Sequence, residues 1–288
     1  MKLVIGRDDL ARAAVEATGA ERLNVKPVHK ASKDFVNDQA VDLAELAIVT
    51  LLQAVAYGRP VVLLPVTTLG RFQHQTLVTI GGLTAGDVEG HSVGVRSWSQ
   101  TTGVWMRGFL TEQYGVDLRE VRWVTYEGAH VEGARDPDFV TRAPEGAKLQ
   151  ADFLERRLDF GIMGNELPAD DRIRTAIADA HEVAAEWSRA NGFAPVNHVL
   201  GVTEQAAREH SAAVCAAYDA MREVVESGPR DTGPVDLNPV GFAALRGPIS
   251  RAAAYALDQG VLPRPVEFDE LVAASCAALG VPAARLGG

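Results

Sequence analysis

The run Val61–Pro65 reads Val-Val-Leu-Leu-Pro, five apolar residues with no polar face. A run of this kind forms a strand buried on both sides, so the fold needs covering layers above and below a sheet. Other strand-patterned runs are Met1–Gly6, Leu77–Ile80, Ser92–Arg96, Glu120–Tyr126, Leu158–Met163 and Asn197–Val202. Between them lie helix-patterned stretches at Asp8–Thr18, Leu43–Tyr57, Gly103–Tyr114, Lys148–Arg157, Ala176–Ala190 and Glu204–Glu226. Asp8 is placed to cap the first helix, and Gly19, Gly58 and Gly115 follow three of the helices as stop signals. The remainder to Gly288 is mostly helical. Strands alternating with helices predict an α/β protein with largely parallel sheets. Asp136–Pro144 and Ser227–Pro239 read as surface connections.

Two stretches look like crossings between lobes: Gly81-Gly82 to Gly86, and Asn191-Gly192 to Pro195. The segment between them carries its own strand–helix–strand pattern. The expected layout is a discontinuous lobe I (1–82 and 196–288) with an inserted lobe II (83–195). A ligand in such a layout sits in the cleft between lobes, near strand C-termini and helix N-termini.

Composition narrows the function. The chain of 288 residues carries 38 acidic and 28 basic residues, a formal net charge of −10. That field disfavours nucleic acid and anionic membranes as partners. Cys215 and Cys276 form no CxxC and read as buried small hydrophobes, and the seven histidines show no HExxH spacing. No metal site and no cofactor is expected. GxGxxG, Walker A and GxSxG patterns are absent. The N-terminal strand runs at once into Arg7, Asp8 and Asp9, without the pattern of a secretory signal, so a cytoplasmic setting is expected.

The most informative stretch is Val93–Gly103, where a strand feeds the turn Ser97-Trp98-Ser99-Gln100-Thr101-Thr102 and then a helix. The first N–H groups of a helix lack intrahelical partners, and its dipole favours an anion there. Ser99, Thr101 and Thr102 add hydroxyls, Gln100 an amide, and Trp98 an apolar face. A plain Ser-capped helix would show the same pattern. Arg96 and Arg107 flank the turn with guanidinium forks suited to carboxylates. His74, in Arg71-Phe72-Gln73-His74, and His198, in Pro195-Val196-Asn197-His198, are candidate proton donors. Glu45 is a third, and Asn165 or Glu166 after a strand end could contact a ligand.

These stretches also resemble a known family. Val93–Gly115 (VGVRSWSQTTGVWMRGFLTEQYG) is similar to the core of the 4,5-dihydroxyphthalate decarboxylases. Pro195–His198 resembles that family's P-I-x-H element, Phe72–His74 its F-R-H element, Asp258–Val272 its C-terminal tail and Asp42–Glu45 its D-x-S-E segment. Gln73 stands where the arginine of F-R-H is expected, and Glu186-Trp187 where paired tyrosines are expected. The chain is also short for the family. The resemblance implies a two-lobed fold of the type 2 periplasmic-binding-protein kind, with the ligand cleft between the lobes. It also implies decarboxylation of a hydroxylated aromatic acid, phthalate-like or hydroxybenzoate-like, without an organic cofactor.

Carried over by position, the matching residues are Glu45, His74, Thr101, Thr102, Trp105, Arg107 and His198. Catalysis is then assigned to His74, His198 and Glu45. Substrate binding falls to Arg96, Trp98, Ser99, Gln100, Thr101, Thr102, Trp105, Arg107 and Asn165. The expected partner is a small aromatic carboxylate, and a homo-oligomer is compatible with the apolar C-terminal helix. Two alternatives stay open: a cytoplasmic carboxylate-binding protein, and another biosynthetic enzyme of the same fold.

Overall fold

A computed structural model describes residues 1–165, 167–228 and 233–288. Glu166 and part of the Ser227–Pro239 connection lie outside the described residues. The chain begins β1 (Lys2–Val4), α1 (Asp8–Thr18), β2 (Glu21–Arg22), β3 (Leu43–Ala47), α2 (Ile48–Ala56) and β4 (Val61–Gly70). It continues β5 (Leu77–Thr79), β6 (Ser92–Val95), α3 (Thr101–Tyr114), β7 (Arg122–Thr125), β8 (Val140–Arg142), α4 (Leu149–Leu154), β9 (Phe160–Ile162), β10 (Arg174–Thr175) and α5 (Ala180–Asn191). β11 (Val196–Thr203) precedes α6 (Glu204–Glu209), α7 (Ser211–Ser227), α8 (Phe242–Asp258) and α9 (Phe268–Leu279).

The strands form two sheets, ordered β2-β1-β3-β11-β4 and β10-β5-β9-β6-β7-β8. Neither is purely parallel. β11 runs antiparallel to β3 and β4, and β5 antiparallel to β9 and β10. The expectation of largely parallel sheets fails for one reason: β5 and β11 are the first strands after the chain changes sheets. Each enters its new sheet from the side of the other lobe, and so runs against its neighbours.

The first change of sheet falls between β4 and β5, at residues 71–76, earlier than the Gly81–Gly82 pair. Leu77–Thr79 therefore belongs with the second sheet. The return falls between α5 and β11. The two connecting strands lie side by side, with Val196 opposite Gly70.

Three local readings need correction. The stretch Leu43–Tyr57 is a strand followed by a helix. Leu43, Ala44, Glu45 and Leu46 are all buried because β3 is flanked by β1 and β11, and an apolar run covered on both faces has no periodicity to separate it from a helix. The stretch Asp136–Pro144 contains β8, an edge strand whose exposed polar residues disguise it. Glu204–Glu226 is two helices, broken at His210.

Asp8 does not cap α1. It is the first helical residue, and its carboxylate pairs with Arg22. Gly19 and Gly115 do close their helices, with φ of 67° and 68°. Cys215 is buried, whereas Cys276 is half-buried. No helix among the described residues is long and apolar enough to cross a membrane.

Candidate functional site

The end of β6 feeds the turn Arg96–Gln100, and α3 starts at Thr101. The two changes of sheet bring Arg71 and Asn197-His198 to the same place. Together they line a cleft of about 300 Å³, with Arg96, Ser97, Ser99, Thr101 and Thr102 on one wall and Ala47, Thr50 and Leu69 on the other. His29, His130, Glu127 and Asn165 complete it. The volume is at the lower end of the range for small-molecule sites. A larger cavity of about 680 Å³ lies against the flank of α3 beside Thr111, Phe139 and Tyr255. It holds none of these converging polar groups.

Strand register explains one pairing. Glu45 on β3 lies opposite Leu200 on β11, and His198 is two residues back on the same face. His198 Nδ1 is 2.7 Å from Glu45 Oε1, and Glu45 Oε2 accepts the Gly6 N–H at 2.8 Å. Burial raises the Glu45 carboxyl, but the His198 contact and the Gly6 N–H outweigh it and hold the carboxyl below its usual range. Glu45 is thus an ionised acceptor, which fixes the proton of His198 on Nδ1 and leaves Nε2 as the other ring nitrogen.

A second network is centred on Thr102. Its hydroxyl oxygen accepts from Arg71 Nη2 at 3.2 Å and from Asn197 Nδ2 at 3.3 Å. Arg71 Nη1 also donates to Asn165 Oδ1 at 2.7 Å. Thr101 Oγ1 accepts the Val49 N–H at 3.2 Å, joining the first turns of α2 and α3. The cleft therefore meets two helix N-termini, hydroxyls and a guanidinium, an arrangement that favours an organic anion.

The third group is cationic and aromatic. Arg96 Nη1 donates to His29 Nε2 at 3.2 Å and lies 3.9 Å from Glu127 Oε2. His130 Nδ1 is 3.1 Å from Thr50 Oγ1. Burial, then Arg96 and His29, push the His130 imidazole down to about 4, so it is neutral at pH 7.

Of the residues read from sequence, His198, Arg96, Ser99, Gln100, Thr101, Thr102 and Asn165 line the cleft, with Glu45 directly behind His198. Four do not. His74 is fully buried and stacked on Phe109 at 4.1 Å, with Nε2 against the Gln113 amide. Burial pushes its imidazole down to about 4, so it is a neutral core group at pH 7 and is not among the residues lining the cleft. Trp98 and Trp105 are buried, their indole N–H groups donating to the carbonyls of Gln259 and Val196. Arg107 is fully buried behind the turn.

Arg71, His29, Thr50, Glu127, His130 and Asn197 were missed. Only Arg71 and Asn197 stood in quoted motifs, each beside a residue judged more interesting. Gln73 is fully buried and donates to Asn197 Oδ1, so the position without an arginine is not a cleft position. Arg71, two residues earlier, supplies a guanidinium there instead.

No family model matches the chain. The 4,5-dihydroxyphthalate decarboxylase of Comamonas testosteroni is 27% identical over 187 residues, covering 59% of this chain and 56% of that protein. The enzyme of the same name from Pseudomonas putida is 26% identical over 170 residues, covering 53% and 65%. The chain resembles the 4,5-dihydroxyphthalate decarboxylases. The matched stretch spans less than two thirds of either relative.

Among solved structures, the chain superposes on DSZB in complex with biphenyl-2-sulfinic acid with a TM-score of 0.57 at 16% identity, covering 97% of this chain and 99% of that one. It superposes on the alkanesulfonate-binding protein SsuA from Xanthomonas axonopodis pv. citri, bound to MOPS, with a TM-score of 0.53 at 13% identity, covering 94% and 96%. The fold is the two-lobed α/β fold of periplasmic binding proteins.

Proposed function

We propose that the chain is a decarboxylase that protonates a hydroxylated aromatic carboxylic acid and releases CO2. The observation that carries this reading is the His198–Glu45 pair, placed beside an anion-favouring cleft. Relatives named 4,5-dihydroxyphthalate decarboxylase support the reaction class, and the phthalate-like or hydroxybenzoate-like substrate is part of the proposal.

In this scheme Arg71, Thr102 and the first turn of α3 hold the anionic end of the acid. Glu45 orients His198 through Nδ1, and its charge complements the imidazolium that delivers a proton from Nε2. The proton joins the ring carbon that bears the carboxylate. The ring–carboxylate bond then breaks, its electron pair restores the aromatic ring, and CO2 departs. His198 regains its proton from solvent. Domain closure would exclude water from the cleft. A cytoplasmic setting belongs to this proposal.

A carboxylate-binding protein without chemistry is the second reading, favoured by the fold it shares with the alkanesulfonate-binding protein. The two separate in one assay. Purified protein is incubated with 4,5-dihydroxyphthalate and a panel of hydroxybenzoates, and products are weighed by mass spectrometry. Release of CO2 from a panel member that is lost on His198→Ala is the expected result. Binding without turnover across the panel would discard the decarboxylase in favour of the binder.

A further inference from the structure

Arg107 sits where its charge has no obvious counterpart. It is fully buried, and no carboxylate ion-pairs with it among the described residues. Its partners are neutral. Nε donates to Gln259 Oε1 at 2.8 Å, Nη2 donates to the Trp98 carbonyl, and the guanidinium carbon lies 3.6 Å over the Trp98 ring. Nη1 has no hydrogen-bond partner. A Cβ on Gly103 would come within 2.9 Å of that nitrogen, so the free end of the guanidinium lies under the first turn of α3.

Gln259 is itself nearly fully buried. Its Nε2 donates to the Val104 carbonyl at 2.9 Å, and its own carbonyl accepts the Trp98 indole N–H at 2.9 Å. One residue at the end of α8 thus holds Arg107, the turn and α3 together using only neutral groups. A buried cation is costly unless something offsets it. Burial pushes the guanidinium down to about 9, and the Asp136 carboxylate, itself engaged by Arg142 and Thr125, opposes the fall without pairing with Arg107.

We propose that Arg107 is a positioning residue whose charge, paired directly with no carboxylate and held beneath the Ser97–Thr102 turn by Gln259, makes the cleft select anions. It never touches the ligand. Its field adds to the helix dipole and to Arg71 from behind the cleft wall, in surroundings where charges are poorly screened. The anion in the cleft is the counter-charge that the protein itself withholds. This explains why the residue opposite Arg107 is a glutamine: a carboxylate there would neutralise the cation and weaken the hold on a ligand. The inference rests on the anion-binding reading of the cleft given above.

The test compares 3,4-dihydroxybenzoate with 3,4-dihydroxybenzamide, a neutral molecule of nearly the same shape, by isothermal titration of the full chain. Wild type should prefer the carboxylate. Arg107→Met should weaken carboxylate binding by about tenfold and leave amide binding within about twofold. Arg107→Lys should restore most of the preference. Gln259→Glu keeps the arginine and supplies the missing carboxylate, and it should lose the preference even if Arg107→Met fails to fold. An equal loss for both probes in the folded variants would mean that Arg107 only props up the turn, and would overturn the proposal while leaving the cleft reading intact. Failure of wild type to bind either probe would overturn the cleft reading, and this proposal with it.

Discussion

His74 gives the sharpest numerical test of the division between core and cleft. Its ring is fully buried against Phe109, and burial pushes its imidazole from an ordinary 6.5 down to about 4. The unfolded chain takes up a proton as pH falls through 6.5, whereas the folded chain resists until about 4. Stability contributed by the neutral ring is therefore complete above 6.5 and is lost as pH falls between those values. The full loss is about 3 kcal/mol, and the part already lost at pH 5 is about 2 kcal/mol. His74→Gln keeps an amide facing Gln113 and removes the titration. The variant should be less stable at pH 7, because the stacking on Phe109 is gone.

Its further loss from pH 7 to pH 5 should nevertheless be smaller than that of wild type by about 2 kcal/mol. Urea unfolding followed by tryptophan fluorescence reads this directly, since Trp105 and Trp187 both contact Phe109. With a slope of about 3 kcal/mol per molar urea, the difference corresponds to a midpoint shift of about 0.7 M. His130 titrates in both proteins and cancels in the comparison. Equal losses in the two proteins would refute the assignment of His74 as a buried neutral group. Loss of turnover in a variant with an unchanged pH profile would return His74 to the reacting groups.

Other outcomes follow from the same geometry. His198→Ala should lower the rate of CO2 release roughly 10²–10⁴-fold while a bound hydroxybenzoate still raises the melting temperature. Glu45→Gln should also slow release, because the amide no longer fixes the proton on His198 Nδ1; an unchanged rate in a steady-state CO2 assay would remove Glu45 from the mechanism. Arg71→Ala should weaken carboxylate binding by about 1.5–3 kcal/mol, the loss of a charged hydrogen bond, as measured by calorimetry. Gly108→Ala should destabilise the fold by about 1–3 kcal/mol, because the added Cβ would overlap the Tyr255 ring, and chemical denaturation at pH 7 reads this without any ligand.

Reading the sequence succeeded where the determinants are local. The run Val93–Tyr114 sets its own strand, turn and helix, and its hydroxyls Ser99, Thr101 and Thr102 do reach the cleft. The same stretch misled at Trp98, Trp105 and Arg107. Nearness in sequence to the turn was read as nearness to the ligand, but only the first turn of α3 opens on the cleft. Of the buried run Thr101–Leu110, only Thr101 and Thr102 line the cleft. His74 misled in another way, because the motif around it points to a site that its neighbour Arg71 occupies.

The rest was not legible because it depends on pairing between distant segments. Glu45 and His198 could each be named, but their partnership requires β11 to enter between β3 and β4 in a particular antiparallel register. A shift of one residue would turn His198 to the opposite face and break the pair. His29 and His130 come from connections with no motif, and they line the cleft only through the tertiary arrangement. The site thus draws one wall from the Arg96–Thr102 turn and helix start, and Arg71, Asn197 and His198 from the two points where the chain changes sheets. Misplacing the first of them by about ten residues hid Arg71, the guanidinium nearest the core of the anion network.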